Sequence, residues 1–141
     1  MRIGLFDSGV GGFTVLKKVF ELCPNISFIY LADTARLPYG VKTSNEIIQI
    51  AEEISSWFSY QNIDGFLIAC NTTNSLAPDI VEGFPGGNVF GLIQASVEMI
   101  DKHGRVGVLA TAATTASNAY RNEIQLHFPN TFVIEQPCPA L

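Results

Sequence analysis

Two polar clusters in this chain each follow a short apolar run, and both carry residue types that move protons or hold small anions. Asp7-Ser8-Gly9-Val10-Gly11-Gly12 follows Ile3-Gly4-Leu5-Phe6, and Cys70-Asn71-Thr72-Thr73 follows Gly65-Phe66-Leu67-Ile68-Ala69. A thiol at the start of a helix meets free backbone N–H groups and the positive end of the helix dipole, which stabilise an anion. Asn71 and Thr72 are side chains of the N-cap type and can also donate to a ligand carboxylate. Asp7 can cap the helix that follows it, or accept and relay a proton from a neighbouring thiol. The loop from Ser8 to Gly12 has the glycines of an anion cradle, but it is neither GxGxxG nor a Walker loop.

Two further segments have the right composition to reach the same place. Pro38-Tyr39-Gly40 supplies a rigid turn and a phenol, and Thr111 to Ser117 is a run rich in hydroxyls. Each has a simpler reading as turn chemistry or helix capping. Of the other cysteines, Cys23 falls on the apolar stripe of a helix and reads as core, whereas Cys138 sits in a Cys-Pro segment.

Those groups need a scaffold that points strand ends at one crevice. The 141 residues alternate strand and helix. Strands are expected at 2–6, 26–31, 65–69, 89–92, 105–110 and 131–135. Helices are expected at about 13–22, 44–60, 71–81, 96–102 and 115–128, with a long loop over 32–41 and a turn over 83–88. Phe13, Leu16, Val19, Phe20 and Cys23 form one helical stripe, and Ile47, Ile48, Ala51, Ile54 and Phe58 form a second. Such alternation predicts an α/β fold with a parallel sheet joined by right-handed crossovers, its ligands bound beyond the carboxyl ends of the strands.

Bulk properties narrow the function classes. A 48% hydrophobic composition suits strands buried on both faces. No apolar stretch reaches the roughly 18 residues of a membrane span. With 8 basic and 13 acidic residues the net charge is −5, and Lys17-Lys18 is the longest cationic patch, so nucleic acid is a poor partner. Three cysteines without a CxxC pair, and two separated histidines, His103 and His127, argue against a disulfide framework or a metal site. The expected location is the cytoplasm, since the chain runs straight into a strand with no signal-peptide pattern. Nothing after the last strand reads as a covering helix, so the chain is expected to be part of a longer one.

In their order and spacing, four motifs resemble the glutamate racemases of the aspartate/glutamate racemase superfamily, in their amino-terminal part. These are Phe6-Asp7-Ser8-Gly9-Val10-Gly11-Gly12, Asp33-Thr34-Ala35-Arg36-Leu37-Pro38-Tyr39-Gly40, Cys70-Asn71-Thr72, and Gly107-Val108-Leu109-Ala110-Thr111 with Ala113-Thr114, Ser117 and Tyr120. The resemblance implies three-layer α/β lobes, with residues 1–92 forming the first and 93–141 beginning the second. It implies cofactor-independent interconversion of L- and D-glutamate, supplying the D-isomer for peptidoglycan and so for cell-wall biogenesis and cell shape, by an enzyme that is a homodimer when intact. Two cysteines would act on opposite faces of the substrate α-carbon. Cys70 matches the first and Asp7 the residue that assists it, while Asp7, Ser8, Tyr39, Gly40, Asn71, Thr72 and Thr114 match substrate-binding positions. The second catalytic cysteine, in a Gly-Cys-Thr-His segment, is expected beyond Leu141, so the 141 residues alone are expected to be inactive. Thr73-Asn74 departs from the usual pattern and leaves substrate preference open. The alternatives are a related enzyme for aspartate, hydantoins or another small acid, and a non-catalytic glutamate-binding remnant.

Overall fold

The computed structural model describes residues 1–100 and 104–138, leaving aside the side chains of 81 and 82. Four parallel strands form the main sheet in the order β2-β1-β3-β4: β1 (Arg2–Asp7), β2 (Ser27–Ala32), β3 (Gly65–Ile68) and β4 (Asn88–Gly91). Two more, β5 (Arg105–Ala110) and β6 (Phe132–Pro137), pair in parallel as a separate sheet. Among the described residues no helix is long and apolar enough to cross a membrane.

The register of the main sheet matters most for function. Leu5 and Phe6 of β1 lie beside Leu67 and Ile68 of β3, and Asp7 lies beside Ala32 of β2. The Ala69 N–H then donates to the Phe6 carbonyl at 2.8 Å. Asp7 and Cys70 therefore leave adjacent strands at the same end. Leu5 and Phe6 are almost wholly enclosed, as a strand covered on both faces must be.

The first helix, α1 (Gly12–Leu22), covers little. Phe13 and Phe20 stay half-exposed and Cys23 is exposed, which corrects the expectation that Cys23 belongs to a core. The stripe packs on β2, with Phe13 stacked on Tyr30 at 4.3 Å and Phe20 tilted against Phe28 at 6.4 Å, and about half of Phe13 and of Phe20 stays uncovered.

α2 (Ser44–Ser59) buries the core face of the main sheet. Thr43 and Glu46 form a capping box that satisfies the first N–H groups, with the Glu46 side chain accepting from the Thr43 N–H at 2.8 Å. The same bonds from Thr43 hold the Glu46 carboxyl below its ordinary range. Ile47, Ile50, Ala51, Ile54 and Phe58 face the sheet, whereas Ile48, expected on that stripe, is only partly covered. Phe58 meets Phe66, which in turn meets Phe84, in a run of tilted rings 4.6 and 5.1 Å apart.

Two expected helices are each broken in two. The span 71–81 divides into α3 (Asn71–Leu76) and α4 (Pro78–Glu82), because Pro78 pushes Ala77 out of the helical region, to φ −126° and ψ 49°. The span 115–128 becomes α6 (Ala112–Ser117) and α7 (Ala119–His127), separated by Asn118 in the left-handed region at φ 56°. Asparagine tolerates that conformation better than most residues. Between β4 and β5, α5 (Leu92–Glu98) begins four residues before the expected start. The expected end of that helix at Lys102, together with His103, lies outside the described residues. The long loop over 32–41 contains two single turns of 3₁₀ helix, Thr34–Arg36 and Tyr39–Val41.

Candidate active site

A cavity of about 440 Å³ opens where the carboxyl ends of β1 and β3 meet the amino end of α6. Such a volume suits a small molecule. From the main sheet come Asp7, Ser8 and Cys70, with Asn71 and Thr72 beside them; from the other side come Ala110, Thr111, Thr114 and Tyr120. A larger cavity of about 520 Å³ lies between α3, β4 and α7, but the polar side chains in its lining are amides, Ser75 and Glu123, with no thiol. Chemistry therefore selects the smaller one.

Asp7 is buried, and its Oδ2 accepts the N–H groups of Gly9 at 3.2 Å and Gly12 at 2.9 Å. The carboxylate thus ties down the loop and the first N–H of α1 while lining the cavity. Gly12 has no room for a side chain, because a Cβ there would stand 2.6 Å from the Asp7 Cβ and 2.8 Å from the Tyr30 hydroxyl. Tyr30 in turn donates to the Gly9 carbonyl at 3.1 Å. Burial, and then the nearby Asp7 charge, push the Tyr30 phenol above its ordinary pKa.

Cys70 occupies the N-cap position of α3 and is 4% exposed. It shares the core cluster of the main sheet, with Phe6 and Ile68, and also lines the cavity. This is the strand-end placement that its position in the chain implied. Asn71 and Thr72 are the first residues of α3 rather than its caps, so their side chains are directed elsewhere. The Asn71 Oδ1 accepts the Tyr120 hydroxyl at 2.8 Å, and the Thr72 Oγ1 lies 3.1 Å from the Thr111 Oγ1. Both bonds join the α3 side of the cavity to segments that follow β5. Burial also raises the Tyr120 pKa.

Tyr39 and Gly40 are not among the side chains lining the cavity. The Tyr39 ring is 2% exposed, and its hydroxyl donates to the Asp33 Oδ2 at 2.5 Å. Burial first, and then that bond to Asp33, raise the phenol's pKa strongly. Arg36 closes the network, reaching Asp33 and Glu53 at 2.5 Å each. Burial opposes the Arg36 charge, but the bonds to Glu53 and Asp33 outweigh it and raise its pKa. Gly40 packs its backbone against Thr111.

Thr73 is 1% exposed with its hydroxyl unpartnered, and lies away from the cavity lining. Asn74 is structural, its Oδ1 accepting the Ile93 N–H at 3.0 Å near the start of α5. The residues that sequence reasoning underused are Thr111, Tyr120 and Asp33. Thr111 had a signal, since it stands at a strand end with Thr114 three residues on. Asp33 also had one, being three residues before Arg36. Tyr120 reaches the cavity only through the packing of α7. No group of three His, Cys, Asp or Glu side chains gathers in a metal-holding arrangement among the described residues.

Comparison with known proteins shows which family the chain is similar to. The Asp/Glu/Hydantoin racemase family model matches residues 4–140. A glutamate racemase of Prochlorococcus marinus strain NATL1A is 68% identical over 140 residues, which is 99% of this chain and 52% of that protein. One from Synechococcus strain CC9605 is 49% identical over 98% of this chain and 52% of its own length. The chain thus spans about half the length of the curated relatives it matches. The crystal structure of glutamate racemase from Francisella tularensis in complex with D-glutamate superposes with a TM-score of 0.92 at 39% identity, covering 97% of this chain and 52% of that one.

Proposed function

The chain belongs to the Asp/Glu/Hydantoin racemase family, and from that premise we propose that the protein containing it interconverts L- and D-glutamate without a cofactor. The observation that carries the reading is the register of the main sheet. It brings Asp7 and Cys70 out of adjacent strands into one cavity with Ser8, Asn71, Thr72 and Thr114. Curated relatives named glutamate racemase, and a related structure solved with D-glutamate, support the choice of substrate.

In this mechanism the Cys70 thiolate removes the α-proton of D-glutamate and becomes a thiol. The electron pair left on the α-carbon delocalises into the substrate α-carboxylate, which needs fixed donors around it. Ser8, Asn71, Thr72 and Thr114 supply hydroxyl and amide N–H groups for the two substrate carboxylates. A second acid on the opposite face then gives its proton to the α-carbon, because a single base returns the proton to the face it came from. We assign that acid to a second cysteine, other than Cys23 or Cys138. Cys23 is exposed at the end of α1, and the Cys138 Sγ faces the Gln136 carbonyl at 3.7 Å. Asp7 assists Cys70 as a neighbouring proton acceptor. Tyr39 and Gly40 contribute through the main chain of their turn, since the Tyr39 phenol is committed to Asp33. In this reading the D-glutamate feeds peptidoglycan synthesis in the cytoplasm, and the intact protein works as a homodimer.

The test is deuterium wash-in at the α-carbon of D-glutamate in heavy water, using the protein as its gene encodes it. Cys70→Ser should slow exchange by about 10²- to 10⁴-fold, the usual weight of a positioned acid or base. Exchange at the unaltered rate removes Cys70 from the mechanism. An aspartate arm run alongside separates substrate choice from mechanism.

A further inference from the structure

At Thr111 three segments around the cavity meet: α3, the start of α6 and the Gly40 turn. Its Oγ1 accepts the Thr114 N–H at 3.2 Å, capping α6. The same oxygen lies 3.1 Å from the Thr72 Oγ1 and 3.0 Å from the Thr114 Oγ1, while Thr114 and Thr72 are 3.5 Å apart, so the three hydroxyls form a triangle. On its other side Thr111 carries the Gly40 turn: a Cβ on Gly40 would stand 2.8 Å from the Thr111 Cβ and 2.9 Å from its Cγ2.

Each hydroxyl in the triangle has one proton to donate. Passed around the ring, the three protons satisfy one another, and a ligand carboxylate is served when one hydroxyl turns outward. Of the three hydroxyls only Thr111 takes a backbone N–H, so it is the anchored corner; Thr114 also accepts the Ser75 hydroxyl at 3.4 Å, and the directions of the Thr72 and Thr114 hydroxyls are set by their bonds to Thr111 and to each other. We propose that Thr111 is a positioning residue of this site. It orients the Thr72 and Thr114 hydroxyls toward the substrate and seats the Gly40 turn at the right distance. This assignment rests on the glutamate reading above and extends it to a residue outside the expected binding set.

Two measurements on the full-length protein test it. Thr111→Val keeps the methyl contact with Gly40 and removes the oxygen. It should raise KM for D-glutamate roughly tenfold, the weight of one lost hydrogen bond to a charged group, with kcat changed less than about threefold. Thr111→Ser, which keeps the oxygen, should restore most of that affinity. A Thr111→Val protein that melts earlier but keeps its KM reduces the residue to a helix cap and overturns the proposal.

The second measurement is a double-mutant cycle in melting temperature, independent of turnover. Gly40→Ala should lower the midpoint by several degrees, since an added methyl has no space. In a Thr111→Gly background, where glycine still serves as an N-cap and both crowding atoms are gone, the same substitution should cost less than half as much. Additive losses overturn the seating role. If the unaltered protein fails to exchange glutamate, the functional reading falls while the melting cycle still decides whether Thr111 seats the turn.

Discussion

The structural contacts of Asp7 can be separated from the role in proton transfer proposed for it. Its Oδ2 holds two loop N–H groups, and an asparagine oxygen can accept the same pair. Asp7→Asn should therefore cost less than about 1 kcal/mol in urea denaturation while slowing α-proton exchange by tenfold or more; Asp7→Ala should cost about 1–2 kcal/mol through the lost cap. Equal, large stability losses in both variants argue for a role in folding alone. Tyr39 gives a pH signature. Its phenol is raised above the ordinary value near 10, so the folded state keeps a proton that the unfolded chain releases. Its stabilising contribution is complete below pH 10 and declines as pH rises above it, by about 1.4 kcal/mol per pH unit. Alkaline unfolding followed by circular dichroism should be shallower in Tyr39→Phe. An unchanged slope assigns the alkaline loss to Tyr30 and Tyr120, which are also raised.

At the scale of elements, local rules predicted most strands and α2 to within a residue or two, because apolar runs and period-3.6 stripes report burial directly. The glycine-loop helix began where expected, but the burial of its stripe did not follow, since a stripe shows that a face is apolar and not what covers it. The broken helices had local signals that periodicity overrode: Pro78 in one and Asn118 in the other. Two substitutions check this level. Thr43→Ala removes the half of the capping box made by the Thr43 hydroxyl, leaves the bond from its backbone N–H to Glu46, and should cost about 1 kcal/mol in denaturant titration. Gly12→Ala places a methyl 2.6 Å from the Asp7 Cβ and should cost about 1–3 kcal/mol, with α1 losing amide-exchange protection first. Retained protection there shows that the loop yields without strain.

Over the molecule as a whole, the cavity is a joint product of two sheets. The main sheet supplies Asp7, Ser8 and the Cys70 segment, and the segment after β5 supplies Thr111 and Thr114. Cys70 is the only thiol among the described residues that line it. Inversion needs groups on both faces of the α-carbon, so the isolated 141-residue chain should not racemise glutamate in a polarimetric assay; normal turnover would refute the two-thiol mechanism. By itself the order of residues determined the alternating strands and helices, the strand-end positions of Asp7 and Cys70, and the hydroxyl types near them. These follow from local patterns of polarity and chain stiffness. Only the tertiary structure decided that β1 and β3 are neighbours, that Tyr39 turns away to Asp33, and that Thr111 joins Thr72 and Gly40 across a separation of 39 residues and more. Pairing and packing between distant segments depend on which surfaces exclude water together, and no local spacing encodes that.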